Sequence, residues 1–177
     1  QVVPIQWDLP FDQIDYLLDR LNGVLFTGGN INVFKDKSGN PKPIYLAFQH
    51  ITDYVLQKNQ QGDFYPLWGT CMGFWNIVRS LGGKMNILTP CDDCVYVRRN
   101  VDLEQSYNSK MLKNLPQDLT KKIKTDQLSV FLHKNMVTPR VFKRNSRLRK
   151  YLTPVAYSYD ESGKQYVSMA ESPSYPI

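Results

Sequence analysis

The residue in this sequence best suited to chemistry is Cys71, one of only 3 cysteines. It stands between Gly69 and Gly73 in the stretch "DFYPLWGTCMGFWNIVRSLGG", residues 63–83. A thiolate is a strong nucleophile toward carbonyl carbon, provided the backbone presents it and its charge is favoured. The residues before it (Phe64, Tyr65, Leu67, Trp68) are large and apolar, the pattern of a strand in a parallel sheet. Those after it set Met72, Trp75, Ile77, Val78 and Leu81 at roughly helical spacing. Cys71 is therefore expected at a strand-to-helix turn whose small neighbours permit a sharp bend, the layout of a nucleophile elbow.

The other two cysteines form the pair "CDDC", Cys91 and Cys94. A redox CxxC normally opens a helix beside a strand, and a structural zinc site needs two further ligands. Here the pair follows "MNILTP" and precedes strand-like "VYVRRNV", and nothing elsewhere in the sequence matches it. A local disulfide or two ordinary thiols is the expectation, with no metal. Cys71 is then the odd cysteine, a candidate nucleophile. Of the two histidines, His50 lies inside a long helical pattern with no motif around it and reads as structural. His133 closes the strand-like "SVFL"; a structural and a functional role are both open to it.

These residues need a scaffold. The chain has 177 residues, 42% hydrophobic and 21% charged, enough for one domain, 1–177, with a real core. No apolar run approaches membrane-spanning length. The opening "QVVPIQWDLP" lacks the basic and long apolar regions of a signal peptide, and starts directly on a strand-like stretch. The net charge of +6 owes much to "PRVFKRNSRLRKYL", with Arg140, Lys143, Arg144, Arg147, Arg149 and Lys150. Such a run can bind nucleic acid or a polyanionic substrate. With no RNA-binding signature or zinc-finger spacing beside it, a solvated helix face is the plainer reading. Val141, Phe142, Leu148 and Tyr151 would then point inward.

From the N-terminus, "VVPIQWDLP" reads as a short strand and loop. "PFDQIDYLLDRLNG" reads as an amphipathic helix closed by Gly23, and "GVLF" as a buried strand before the "TGGN" turn. "IYLAFQHITDYVLQKNQQGD" gives a long helix, followed by the Cys71 strand and its helix. Alternating strands and helices mark a parallel sheet with helices on its faces. From about Ile87 the pattern turns to strands, "VYVRRNV", "LSVFL", "LTPVAYSYD" and "KQYVSMAES", with a hairpin tip at 159–165.

Two glycine turns at the ends of consecutive parallel strands fall on one edge of the sheet, where open α/β proteins bind ligands. One is "LNGVLFTGGN" (21–30), the other "FYPLWGTCMGF" (64–74). The pair resembles the γ-glutamyl hydrolases (folate polyglutamate hydrolases) of the class I glutamine amidotransferase-like superfamily. There a "PGG" turn precedes a "P-x-W-G-T-C-x-G-F" elbow, and Pro66, Trp68, Gly69, Thr70, Cys71, Gly73 and Phe74 all fit. The likeness continues weakly through "SVFLHKNMVTP" and "SYPI".

The resemblance implies a three-layer, flavodoxin-like α/β domain with a mostly parallel central sheet. It implies a cofactor-free hydrolase, a peptidase that cleaves γ-glutamyl bonds of folate polyglutamates or related peptides through Cys71. The N-terminus of the following helix favours a thiolate there. The main-chain N–H of Met72, with one from the Gly28–Gly29 turn, is suited to form an oxyanion hole. By resemblance His133 contacts the substrate. The likeness further implies a homodimer or a subunit of a larger assembly, and a lysosomal, vacuolar or extracellular location.

Four departures accompany it. The family's general base is the histidine of a "W/F-H-P-E" motif soon after a "YP" step, whereas this sequence ends at "SYPI". The family's first strand and helix precede the "VVP" stretch, so 1–177 reads as a fragment, with the histidine expected beyond Ile177. A polar residue four positions after the nucleophile normally holds the glutamyl group, and that place is Trp75. Thr27 replaces the proline of "PGG". These departures keep a second reading open: a catalytically silent member acting as a structural or interaction subunit. Nucleic-acid binding through residues 140–150 rests on charge alone.

Overall fold

A computed structural model describes residues 1–29, 35–84, 86–104 and 108–177; Asn30 of the first glycine turn and Met85 lie outside them. The chain forms two compact units, Gln1–Met85 with Tyr175–Ile177, and Asn86–Ser174.

The first unit runs α1 (Phe11–Leu18), β1 (Val24–Phe26), α2 (Pro43–Gln60), β2 (Leu67–Gly69) and α3 (Met72–Gly82). Pro10 precedes α1 and Pro43 opens α2, positions where the missing N–H costs nothing and φ is already helical. Ile14 and Leu18, one turn apart on α1, are completely buried. The two helices are joined at the surface by His50, whose ring meets the Asp15 carboxylate at 2.7 Å and stacks on Phe11 at 4.3 Å. The structural reading of His50 fits these contacts. Asn59 ties the end of α2 to the approach of β2: its amide donates to the carbonyls of Val55 and Tyr65 at 2.8 and 2.7 Å.

β1 and β2 pair in parallel, with Val24 opposite Leu67, Leu25 opposite Trp68 and Phe26 opposite Gly69. Beyond β2, the Leu67 N–H donates to the Pro176 carbonyl at 3.0 Å, so the C-terminal residues belong to this unit. α3 packs on both strands and on α2, and stops at Gly83 in the left-handed region, φ 63°. Two expectations change here. Residues 1–6 form no strand. The β1–β2 pair buries one face only: Phe26 and Leu67 are buried, whereas Leu25 and Trp68 are 60% and 53% exposed. Successive strand side chains point to opposite faces, and within this unit the helices cover one of them.

The second unit is built on antiparallel pairs, as its strand-rich sequence suggests. Its elements are β3 (Thr89–Pro90), β4 (Val95–Arg99), β5 (Asp102–Leu103), α4 (Gln117–Thr125), β6 (Ser129–Leu132), β7 (Asn135–Met136), α5 (Pro139–Arg144), α6 (Ser146–Tyr151), β8 (Thr153–Tyr159) and β9 (Gln165–Glu171). β3 pairs with β7, β4 with β6, and β8 lies between β5 and β9. The β8–β9 hairpin closes where expected. Asp160 accepts from the Ser162 hydroxyl and the Lys164 N–H at 2.7 and 2.8 Å, and Gly163 takes φ 78°. The basic run forms α5 and α6 with all six cations exposed and Phe142 and Leu148 buried, in keeping with a solvated face.

Candidate active site

Cys71 sits between β2 and α3 with φ 56° and ψ −114°, a backbone conformation that side-chain-bearing residues rarely adopt. The sequence places glycine where this turn demands it. A β-carbon on Gly73 would overlap the backbone of Phe26, and one on Gly69 would lie 2.6 Å from Ile77 Cδ1. The helix can therefore start immediately beside β1. Three hydrogen bonds hold the turn: Thr70 N–H to Phe26 O at 3.0 Å, Gly73 N–H to Thr70 O at 2.9 Å and Trp75 N–H to Cys71 O at 3.3 Å. The Trp68 indole N–H also reaches the Thr70 hydroxyl at 3.0 Å.

The Cys71 thiol is free and exposed. Gly28 faces it: a β-carbon there would stand 3.3 Å from Cys71 Cβ and 3.7 Å from Sγ. A β-carbon on Gly29 would instead stand 2.9 Å from Met72 Cε. The parallel register of β1 and β2 thus brings together Gly28, Gly29, Cys71 and Met72, four residues that the sequence singled out. Met72 is the first residue of α3, so its N–H is among the helix's leading donors that have no partner within the helix. Such donors and the helix dipole favour negative charge beside Cys71. Trp75 stands on the same first turn of α3, half-buried. His50, the one histidine of this unit, is engaged with Asp15.

His133 belongs to the second unit, at the connection from β6 to β7. Burial pushes its imidazole below the ordinary value, a hydrogen bond to the Asn135 backbone opposes this, and the Arg99 charge adds to the lowering. The rings of Phe131 and Tyr166 meet it edge-on at 5.4 and 5.5 Å. Cys91 and Cys94 are joined by a disulfide. Their sulfurs and a His133 ring nitrogen all lie within 4.8 Å of one another. Sequence spacing alone could not show this third donor, because it arrives from another strand connection. The same unit holds an open groove of about 560 Å³ lined in part by Arg140, Lys143 and Arg149 over Phe142, Leu152 and Pro154.

The family description "Peptidase C26" matches residues 1–144. Among curated relatives, gamma-glutamyl hydrolase B of Dictyostelium discoideum is 32% identical over 181 residues, covering 100% of this chain and 50% of the relative. Gamma-glutamyl hydrolase of Bos taurus is 28% identical over 178 residues, covering 100% of this chain and 53% of its own. Gamma-glutamyl hydrolase 1 of Arabidopsis thaliana is 27% identical over 179 residues, covering 100% and 49%. The chain spans about half the length of the curated relatives it matches.

Proposed function

Because this chain belongs to the peptidase C26 family, an α/β fold of the class I glutamine amidotransferase-like kind, we propose that it serves a γ-glutamyl hydrolase in which Cys71 is the nucleophile. The observation that carries the reading is the Cys71 backbone at φ 56°, with Gly28 leaving its thiol uncovered. The Cys71 thiolate attacks the carbonyl carbon of a γ-glutamyl amide. The tetrahedral oxyanion is stabilised by the Met72 N–H and an N–H of the Gly28–Gly29 turn. Collapse expels the amine, which takes up a proton, and leaves a thioester at Cys71; water then releases the glutamyl product and the thiol. A thiol nucleophile needs a base to collect and return its proton, and the reading assigns that role to no residue of this chain.

His133 is proposed to contact the substrate. The substrate class is a γ-linked polyglutamate such as a polyglutamyl folate, a polyanion that the net charge of +6 suits. The relatives' names support the bond cleaved. The Cys91–Cys94 disulfide suits an oxidising compartment, lysosomal, vacuolar or extracellular. A homodimer or a place in a larger assembly is part of the same proposal.

The test is iodoacetamide labelling of the full-length protein across pH, read at Cys71 by mass spectrometry, with hydrolysis of a γ-glutamyl peptide alongside. Rapid labelling well below the free thiol pKa of about 8.5, with hydrolysis lost in Cys71→Ala, supports the enzyme. Slow labelling and no hydrolysis favour the second reading, a silent family member, which Trp75 motivates. If Trp75 is what silences it, Trp75→Glu restores hydrolysis; if the variant remains inert, Trp75 is not the cause.

A further inference from the structure

The geometry points to a zinc site made by Cys91, Cys94 and His133, available when the Cys91–Cys94 disulfide is reduced. It goes beyond the hydrolase reading, and in the reduced, zinc-bound state His133 is a metal ligand and not the substrate contact.

The three donor atoms lie within 4.8 Å of one another, close enough to share one ion. They converge because of strand pairing. The CDDC loop joins β3 to β4, and the His133–Lys134 turn joins β6 to β7; β3 pairs with β7 and β4 with β6. The two connections are therefore neighbours, fastened by Cys91 N–H to Lys134 O at 3.1 Å and His133 N–H to Cys94 O at 2.9 Å. Further bonds brace the loop: Asp92 N–H reaches the Asp160 carboxylate at 3.3 Å, and Glu161 N–H reaches Asp92 O at 3.2 Å. The ligand positions are thus held by a backbone ladder that does not depend on the sulfur–sulfur bond.

The donor chemistry selects the metal. Two thiolates three positions apart and one imidazole form a Cys₂His set, which suits a borderline-soft, tetrahedral ion such as zinc, with a fourth position for water or another ligand. Cys94 is buried and packed with Met136 and Tyr166, and Cys91 and Phe131 lie against that cluster, so one side of the site is shielded from water.

Access is by thiol–disulfide exchange. A dithiol reductant breaks the S–S bond, supplies two electrons and two protons to give two thiols, and is itself oxidised to a disulfide. Zinc then replaces the two thiol protons, which pass to solvent.

The experiment uses the full-length protein carrying Cys71→Ser, so that Cys71 cannot contribute a thiolate. It is reduced under argon, stripped of metal and titrated with cobalt(II), then zinc. The expected result is one equivalent of cobalt with a thiolate-to-metal charge-transfer absorption that zinc abolishes. The oxidised protein shows none. Cys91→Ser, Cys94→Ser and His133→Ala each weaken binding by about 100-fold or more, while His50→Ala leaves it unchanged. A parallel melting curve of the reduced protein rises with added zinc. The proposal is overturned if the reduced protein gives no charge-transfer absorption and no zinc-dependent rise. It is equally overturned if the band survives loss of both cysteines, or is indifferent to His133→Ala.

Discussion

Gly73 lies against the carbonyl of Phe26 so closely that a β-carbon in its place would overlap the backbone of β1. The relationship links sequence to site: without it the first turn of α3 moves away from the strand, and Cys71, the residue between β2 and α3, moves with it. Gly73→Ala sets two effects against each other. Alanine in place of glycine within a helix gains about 1 kcal/mol. Overpacking against backbone, which cannot rotate away, costs about 3 kcal/mol, so the clash wins. A net loss of about 2 kcal/mol is expected as a lower urea midpoint, together with reduced hydrolysis. An unchanged midpoint would mean that the close approach is not what the fold needs.

Gly28 and Gly29 are adjacent but predict different outcomes. A methyl at Gly28 would sit 3.3 Å from Cys71 Cβ and 3.7 Å from Sγ, crowding the thiol rather than the fold. Gly28→Ala should therefore slow iodoacetamide labelling of Cys71 and depress hydrolysis while changing stability by no more than about 1 kcal/mol. A methyl at Gly29 meets only the flexible end of Met72, with Cε at 2.9 Å. A thioether can turn aside, so Gly29→Ala leaves labelling near the wild-type rate. Equal effects from the two substitutions would remove Gly28 from its assigned place beside the thiol.

The elbow was legible in the sequence because its requirements are local. Gly69, Cys71 and Gly73 fall within one turn, and the apolar spacing changes from strand-like to helical across them. The β8–β9 tip was legible for the same reason, since Asp160, Ser162 and Gly163 satisfy the turn among themselves. What failed depended on partners. Val2, Val3 and Ile5 have strand-like character, but residues 1–6 pair with no strand among the described residues, and Val2 is 94% exposed. Strand propensity expresses a fit to neighbours more than a backbone preference. The meeting of His133 with Cys91 and Cys94 was hidden likewise, because it requires the pairing of four strands that no short window contains.

The surface of the first unit should show a specific acid response. Asp19 accepts from the Tyr54 hydroxyl at 2.5 Å and faces Lys58 at 3.3 Å. The Tyr54 hydrogen bond, then that of Lys58, hold its carboxyl below the ordinary value of 3.8. A carboxyl lowered in the folded state adds stability that is present above the unfolded value and is lost as pH falls through the folded one. Removing the hydroxyl with Tyr54→Phe should raise the Asp19 titration toward the ordinary value, read by carbon-detected NMR of the carboxyl. It should also flatten the acid limb of the stability curve. An Asp19 titration that stays where it is in Tyr54→Phe would assign the lowering to Lys58 instead.

In the second unit, Glu171 on β9 is 3% exposed and organises a loop from within. One carboxylate oxygen accepts from the Lys110 N–H at 2.7 Å; the other accepts from the Met111 N–H at 2.8 Å and the Ser109 hydroxyl at 2.9 Å. Glu171→Gln keeps the shape but turns one acceptor oxygen into a donor NH₂. Either amide orientation leaves at least one backbone N–H facing another donor, at a cost of about 2 kcal/mol. The expected signature is local as well as global: amide exchange at Lys110 or Met111 accelerates, while the Lys164 amide, held by Asp160, keeps its protection. Glu171→Ala should release both loop amides together, since the acceptor is then gone from both. If neither amide changes in either variant, the loop is held by something other than Glu171, and the loss of stability would have to come from the packing of β9 alone.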